Sequence, residues 1–101
     1  MDLSQFSVSF EAEKKQFELD IQGDVAVIQF ILNKQNTIFL THTEVPKSLE
    51  GKGVGNKIVG ETLEYIKKED WKLAPLCPFV AAYLKRHPEY QSLLAPGYNI
   101  W

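Results

Sequence analysis

The sequence predicts a single α+β domain that contains a mixed sheet of five strands and two main helices, in the order β-β-β-β-α-β-α. Apolar residues recur at every second position up to Val45-Pro46, which is typical of strands, and with helical spacing after it. The strands before that point are joined by short polar connections, which favours an antiparallel meander. A length of 101 residues allows one domain.

The first two strands are predicted from alternation of apolar and polar side chains. This alternation covers residues 6–11 and residues 17–22, and the polar residues 13–15 connect the two strands. Residues 25–32 are β-branched and nearly all apolar, so we expect a central strand that is covered on both faces. A turn at residues 33–36 then leads into a fourth strand.

The fourth strand is predicted over residues 37–45, where Pro46 ends it. A helix with an apolar stripe follows over residues 53–68, and a short fifth strand over residues 71–76. This crossover makes strands four and five parallel. Pro78 suits the first turn of a second helix, which ends near His87 because Pro88 follows it, and residues 89–94 favour one more helical turn.

Composition excludes several classes of protein. Eleven basic against thirteen acidic residues give a net charge of -2, so we expect no general nucleic-acid binder. The longest apolar run is too short to span a bilayer, and the first fifteen residues show no export signal. One cysteine forms neither an internal disulfide nor a multi-cysteine zinc site. We therefore expect a cytoplasmic protein that binds no metal.

The most informative segment is the glycine loop, residues 50–55, between the fourth strand and the long helix. Glycines allow a close approach of the backbone to a ligand, and the N–H groups and dipole of a helix N-terminus favour phosphate. Lys47, Lys52 and Lys57 add positive charge nearby. Neither the dinucleotide fingerprint nor the P-loop pattern fits the spacing. A flexible loop that only starts a helix is the alternative.

The glycine loop resembles motif A of the GNAT-type N-acetyltransferases. That motif, R/Q-x-x-G-x-G/A, is matched by Glu50, Gly53 and Gly55. Residues 75–90, together with residues 42–46, resemble the very small single-domain members of that family. The resemblance covers nearly the whole chain, and it implies a GNAT-like mixed sheet formed by one domain over residues 1–101.

The resemblance implies that the protein binds acetyl-coenzyme A and transfers its acetyl group to an amine. Pantetheine would lie between strands four and five, where the backbone from Thr43 to Val45 would line it and polarise the thioester carbonyl. The pyrophosphate would be held by the loop amides, those of Gly51, Lys52, Gly53, Val54, Gly55 and Asn56. One departure is Glu50, which stands where the family has Arg or Gln. Because a carboxylate repels a diphosphate, we expect Glu50 to point away or to pair with Lys47 or Lys52.

Cys77 and His42 are two candidate catalytic residues. Cys77 lies at the cap of the second helix, where the helix N-terminus favours a thiolate, although a free cysteine is also often simply buried. His42 shares the face of Ile38 and Leu40, so it points into a core or a cleft. We expect it to lie close to Cys77 across the strand ends, as a nucleophile–base pair or as a general base toward an amine. A hydrogen-bonded core histidine is the alternative.

Glu44 and Tyr83 are the other two candidates. Glu44 lies two residues after His42, hence on the same strand face, as a base or as a solvated carboxylate. By resemblance, Tyr83 would protonate the leaving thiolate; otherwise it is a packed aromatic residue. The basic residues 85–87 complement the C-terminal helix dipole and could also meet the 3′-phosphate of the coenzyme. Trp71 and Trp101 are expected to be packing residues.

Three functions follow from these features. The first is acetyl transfer to an amine, directly or through Cys77, with an open acceptor side that suits a protein terminus or a lysine. The second is a module that binds coenzyme A with little catalysis, which Glu50 favours. The third is an interaction domain in which the glycine loop is only structural.

Overall fold

A computed structural model describes residues 2–100 and shows one mixed five-stranded sheet with two helices packed on it. The strands are β1 (Ser9–Glu11), β2 (Gln16–Ile21), β3 (Asp24–Leu32), β4 (Thr37–Glu44) and β5 (Lys72–Pro75), and the helices are α1 (Val54–Lys68) and α2 (Pro78–Arg86). Three short 3-10 segments occur at Leu3–Gln5, Lys47–Leu49 and Pro88–Leu93.

Sheet order follows chain order, from β1 at one edge to β5 at the other. The first four strands pair antiparallel, and β5 pairs parallel with β4 in the register Thr37↔Lys72 to Leu40↔Pro75. The predicted meander, the parallel pair and the α+β class are therefore confirmed.

The long helix forms as its apolar stripe predicts. Gly53 precedes it and Lys68 ends it, within one residue of the prediction. Its buried residues recur with helical spacing: Val54, Ile58, Val59, Thr62, Leu63 and Ile66. This stripe packs against β2 and β3, whereas α2 packs against β4 and β5.

The first strand is shorter than the alternation predicts. Pairing with β2 begins at Ser9 and not at Phe6. The N–H of Val8 instead donates a hydrogen bond of 3.0 Å to Oε1 of Glu61 on α1. Phe6 and Val8 pack against the core as the alternation predicts, but their backbone precedes β1 and does not pair with β2.

The expectation that β3 is covered on both faces is wrong. Ile28 is fully buried on the face that the helices cover, whereas Ile31 is 58% exposed and Gln29 is exposed on the other face. Both helices pack on the same side, and residues 2–100 place no helix on the opposite side of β3. The apolar residues on that side reflect strand propensity more than burial.

Aromatic side chains close the end of the core between β1 and α1. Phe10 lies 5.1 Å from Tyr65 and 5.5 Å from Trp71 between ring centroids, and Phe17 and Phe30 join the same cluster. Trp71 is thus the packing residue that was predicted, while Trp101 lies outside the described residues. No helix within residues 2–100 has the length and apolarity that a membrane span requires.

Candidate functional site

Strands β4 and β5 separate halfway along β4. Their last pair is Leu40↔Pro75, after which the N–H of Cys77 donates to the carbonyl of Leu40 at 2.9 Å. Beyond this point β4 continues to Glu44 and pairs with β3 only. One edge of residues 41–44 therefore has no strand partner among the described residues, and the opening that the resemblance predicts is present.

A bulge interrupts β4 at the start of this opening. Gln29 pairs with His42 but Phe30 pairs with Leu40, so Thr41 is an extra residue in β4. Because side chains alternate along a strand, an extra residue turns those that follow to the opposite face. Thr43 pairs with the buried Ile28 and so belongs to the helix-covered face.

His42 and Glu44 consequently lie on the open face of the sheet. The expectation that His42 shares a face with Leu40 is wrong, because the bulge reverses the alternation between them. The His42 side chain is 55% exposed, and its Nε2 lies 3.5 Å from Oε2 of Glu44. The expected pairing of His42 with Cys77 is wrong as well, since Cys77 contacts Thr43 from the other face. That His42 and Glu44 share a face is confirmed.

Cys77 and Thr43 meet at the point where the strands diverge. The sulfur of Cys77 lies 3.2 Å from Oγ1 of Thr43, and the cysteine is only 4% exposed. Cys77 is the residue before α2, and its side chain makes no capping hydrogen bond. Cys77 is therefore buried, as one of the two alternatives predicted. Chemical reactivity of its thiol stays a prediction.

The glycine loop leaves the first turn of α1 without hydrogen-bond acceptors. Gly53 has φ +81°, a left-handed conformation that favours glycine, and as a glycine it offers no capping side chain. The first helical hydrogen bond is that of the Lys57 N–H to the Gly53 carbonyl, at 3.1 Å. Within the described chain, the N–H groups of residues 54–56 have no acceptor.

A pocket of about 420 Å³ lies against this turn. Among the residues expected to bind the cofactor, those that line it are Val45, Gly51, Gly53, Val54, Gly55 and Asn56. Thr43 lies deeper beside Cys77, and Lys52 is exposed outside the pocket wall. Phe79 and Arg86 complete the wall from α2.

Glu50 also lines the pocket and is exposed. Its expected ion pair with Lys47 or Lys52 does not form within the described part of the chain. Lys57 carries no free charge toward the pocket, because its ammonium is paired with Glu61. The lysines therefore contribute less to this site than the sequence indicates.

Phe79 packs its ring on Gly55. A Cβ added at Gly55 would come within 2.6 Å of Cζ of that ring, so the absence of a side chain at Gly55 lets α2 approach α1 here. The ring is 44% exposed and gives the pocket an apolar wall beside the first turn of α1. This contribution of Phe79 could not be predicted from the sequence, because it depends on how α2 packs against α1.

Tyr83 does not line the pocket. Its ring is 8% exposed and stacks on His87 with the centroids 4.0 Å apart, and its hydroxyl lies against Gly60 in the middle of α1. Burial, reinforced by the charge of Glu89, raises the pKa of the Tyr83 hydroxyl above its ordinary value. The hydroxyl therefore keeps its proton at neutral pH, and its role as a proton donor stays a prediction.

Comparisons with known proteins show the family and its relatives. The model of the family described as GCN5-related N-acetyl-transferase matches residues 16–93, which include every candidate site residue. The protein called NATD1 in Xenopus tropicalis is 28% identical over 97 residues, with 92% of this chain and 89% of that protein covered. NATD1 from Homo sapiens is also 28% identical, with 88% of this chain and 82% of that protein covered.

A solved structure supports the fold independently. The solution structure of a GCN5-like protein from Staphylococcus aureus superposes with a TM-score of 0.67 at 24% identity, and the match covers 91% of this chain and 90% of that one. At this identity the likeness establishes the shared mixed sheet and leaves the chemistry to the residues described above.

Proposed function

Because the chain belongs to the GCN5-related N-acetyltransferase family, we propose that it transfers an acetyl group from acetyl-coenzyme A to an amine. The observation that carries this proposal is the separation of β4 from β5 after Leu40 and Pro75, next to the uncapped first turn of α1. The unpaired edge of β4 and the N-terminus of α1, which favours anions, thus lie next to each other.

The helix end is suited to the diphosphate of the cosubstrate. Three N–H groups, those of residues 54–56, have no acceptor among residues 2–100 and lie at the positive end of the α1 dipole. Glycines at 51, 53 and 55 leave the backbone open to a close approach. The pantetheine arm would follow Val45 and the free edge of β4 toward Thr43, where backbone N–H groups can polarise the thioester carbonyl.

The open sheet face is suited to the acceptor amine. Only residues 12–15 connect β1 and β2, and no helix formed by residues 2–100 crosses this side. An amine that approaches from here passes His42 and Glu44, which lie 3.5 Å apart. In direct transfer one of them accepts the ammonium proton, directly or through water, and the free amine forms the new C–N bond. The C–S bond then breaks, the nitrogen gives up its second proton to leave the amide, and the departing thiolate takes up a proton.

A covalent route through Cys77 is the variant of this mechanism. The Cys77 thiolate would attack the acetyl carbon, release coenzyme A and then pass the acetyl group to the amine. The Cys77 sulfur is buried against the Thr43 hydroxyl, so the cysteine reaches only a thioester already seated between the strands. Direct transfer stays the default because it does not require the buried Cys77 sulfur to reach the thioester.

The test is the release of coenzyme A thiol from acetyl-coenzyme A in the presence of amines. Peptides with a free N-terminus and peptides with a free lysine serve as acceptors, and acetylated peptides are the blocked controls. We expect amine-dependent thiol release and acetylated product. Saturable binding of acetyl-coenzyme A without product for any amine would leave only the second candidate.

That second candidate is a coenzyme A-binding module with little catalysis. The observation that favours it is Glu50, which lines the pocket beside the glycine loop and forms no ion pair in the described chain. A ligand at about 100 times its Kd stabilises a fold by about 2.7 kcal/mol. Thermal stabilisation by acetyl-coenzyme A with no turnover would select this candidate, and no stabilisation would select an interaction domain.

A further inference from the structure

Arg86 is the last residue of α2, yet its guanidinium reaches the first turn of α1. Nη2 donates a hydrogen bond of 3.3 Å to Oδ1 of Asn56, and Cζ lies 6.0 Å from the centroid of the Tyr83 ring. These contacts orient the guanidinium along the wall of the pocket that the glycine loop forms.

Two helix dipoles act on this guanidinium in opposite directions. The end of α2 favours a cation, but the start of α1 presents the positive end of another dipole. No carboxylate within residues 2–100 forms an ion pair with Arg86, and Asn56 is a neutral partner. The guanidinium therefore keeps donors free beside the unpaired N–H groups of α1.

The charges that line the pocket also favour an anion beside Arg86. Its lining contains two charged residues, Glu50 and Arg86. Without Arg86 the remaining charged group would be the Glu50 carboxylate, which repels phosphate. The planar guanidinium matches two phosphate oxygens at once, which a lysine ammonium does not do.

From these observations, and resting on the function proposed above, we infer that Arg86 binds the diphosphate of coenzyme A. It supplies the positive charge that the glycine loop lacks at Glu50. Asn56 and Tyr83 hold the guanidinium in place from either side and thereby pre-organise it for the anion.

Binding measured by calorimetry with coenzyme A and with dephospho-coenzyme A tests this inference. Arg86→Gln is compared with Lys68→Gln, a change of the same charge in the exposed last residue of α1, which does not line the pocket. We expect Arg86→Gln to weaken the binding of both ligands by about tenfold and Lys68→Gln to weaken it by less than about twofold. The difference should shrink at high salt, and Arg86→Lys should fall between the two.

Three other results would overturn this inference. Equal affinities for Arg86→Gln and Lys68→Gln, with unchanged thermal midpoints, overturn the role of Arg86 and leave the proposed function standing. A loss for coenzyme A that is absent with dephospho-coenzyme A assigns Arg86 to the 3′-phosphate and overturns the diphosphate assignment. Failure of the unsubstituted protein to bind either ligand overturns the proposed function and this inference together.

Discussion

The hydroxyl of Thr43 lies 3.2 Å from the sulfur of Cys77, across the gap where β4 and β5 part. This contact exists because the bulge at Thr41 turns Thr43 toward the helices and sends His42 and Glu44 to the open face. Two sets of side chains thus flank one strand edge, with Thr43 and Cys77 inside and the candidate bases outside. A thioester on that edge would be accessible to an amine from the open side.

Replacing Cys77 with alanine distinguishes the two routes of transfer. Under direct transfer, Cys77→Ala keeps much of the kcat and forms no acetylated enzyme. The fold loses about 1 kcal/mol of stability, since a small buried side chain is truncated. Steady-state thiol release and the mass of the protein after incubation with acetyl-coenzyme A alone provide the measurement. Lost turnover with intact cofactor binding, together with an acetyl group on Cys77 in the unsubstituted chain, would establish the covalent route instead.

A second prediction separates the backbone geometry of the glycine loop from its ligand contacts. Gly53 at φ +81° and Gly97 at φ +92° both adopt the left-handed conformation, and neither has close neighbours. Alanine at either position should cost about 1 kcal/mol of unfolding free energy for the same reason. Only Gly53→Ala should also weaken acetyl-coenzyme A binding, by about tenfold or more, because it reorients the N–H groups of α1. Equal binding by the two variants would argue against the loop as the phosphate site.

A third prediction concerns the packing between the helices at Gly60 and Tyr83. Alanine favours a helix over glycine by about 1 kcal/mol, but a Cβ at Gly60 would lie 2.9 Å from the Tyr83 hydroxyl oxygen. Since Tyr83 is buried and stacked on His87, it cannot easily move, and Gly60→Ala should destabilise the fold by about 1–2 kcal/mol. In the Tyr83→Phe background the same change should be neutral or stabilising. Chemical denaturation of the four proteins in this cycle gives the coupling, and additive effects would refute the clash.

A fourth prediction concerns stability at alkaline pH. The hydroxyl of Tyr90 donates a hydrogen bond of 2.5 Å to Oε2 of Glu64, and burial together with this bond raises the pKa of Tyr90 well above its ordinary value of 10.0. The folded chain thus holds this proton more tightly than the unfolded chain does. The stabilisation is complete below about pH 10 and is lost as the pH rises toward the folded pKa.

When the pH rises from about 8 to about 11, the free energy of unfolding should therefore fall less in Tyr90→Phe than in the unsubstituted protein. Tyr98→Phe is the matched control, because Tyr98 is an exposed tyrosine on the C-terminal segment. Denaturation curves at the two pH values give the comparison. A Tyr90→Phe variant with the same pH dependence as Tyr98→Phe would show that the hydrogen bond to Glu64 does not carry the effect.

The helices could be predicted closely because their signals are local. The stripe of α1 and the prolines at 78 and 88 place both helices to within one residue of Val54–Lys68 and Pro78–Arg86. The parallel pair of β4 and β5 follows from the crossover rule. The glycine loop was likewise recognisable, because its position before a long helix has a direct physical meaning.

The sequence could not predict on which face of β4 each side chain lies, because the pairing of β4 with β3 decides it. Nothing in the alternation of residues 37–45 marks Thr41 as an extra residue, and His42 was placed on the wrong face as a result. Arg86 was undervalued for a similar reason. Its importance arises from tertiary packing that brings the end of α2 to Asn56, thirty residues earlier in the chain.

The most direct test of this account is the backbone amide spectrum of ¹⁵N-labelled protein during titration with acetyl-coenzyme A. The account predicts saturable shifts that are largest at Val54, Gly55 and Asn56, with a second group at residues 41–45 along the free edge of β4. Saturable shifts confined to another surface, with these amides unchanged, would contradict it.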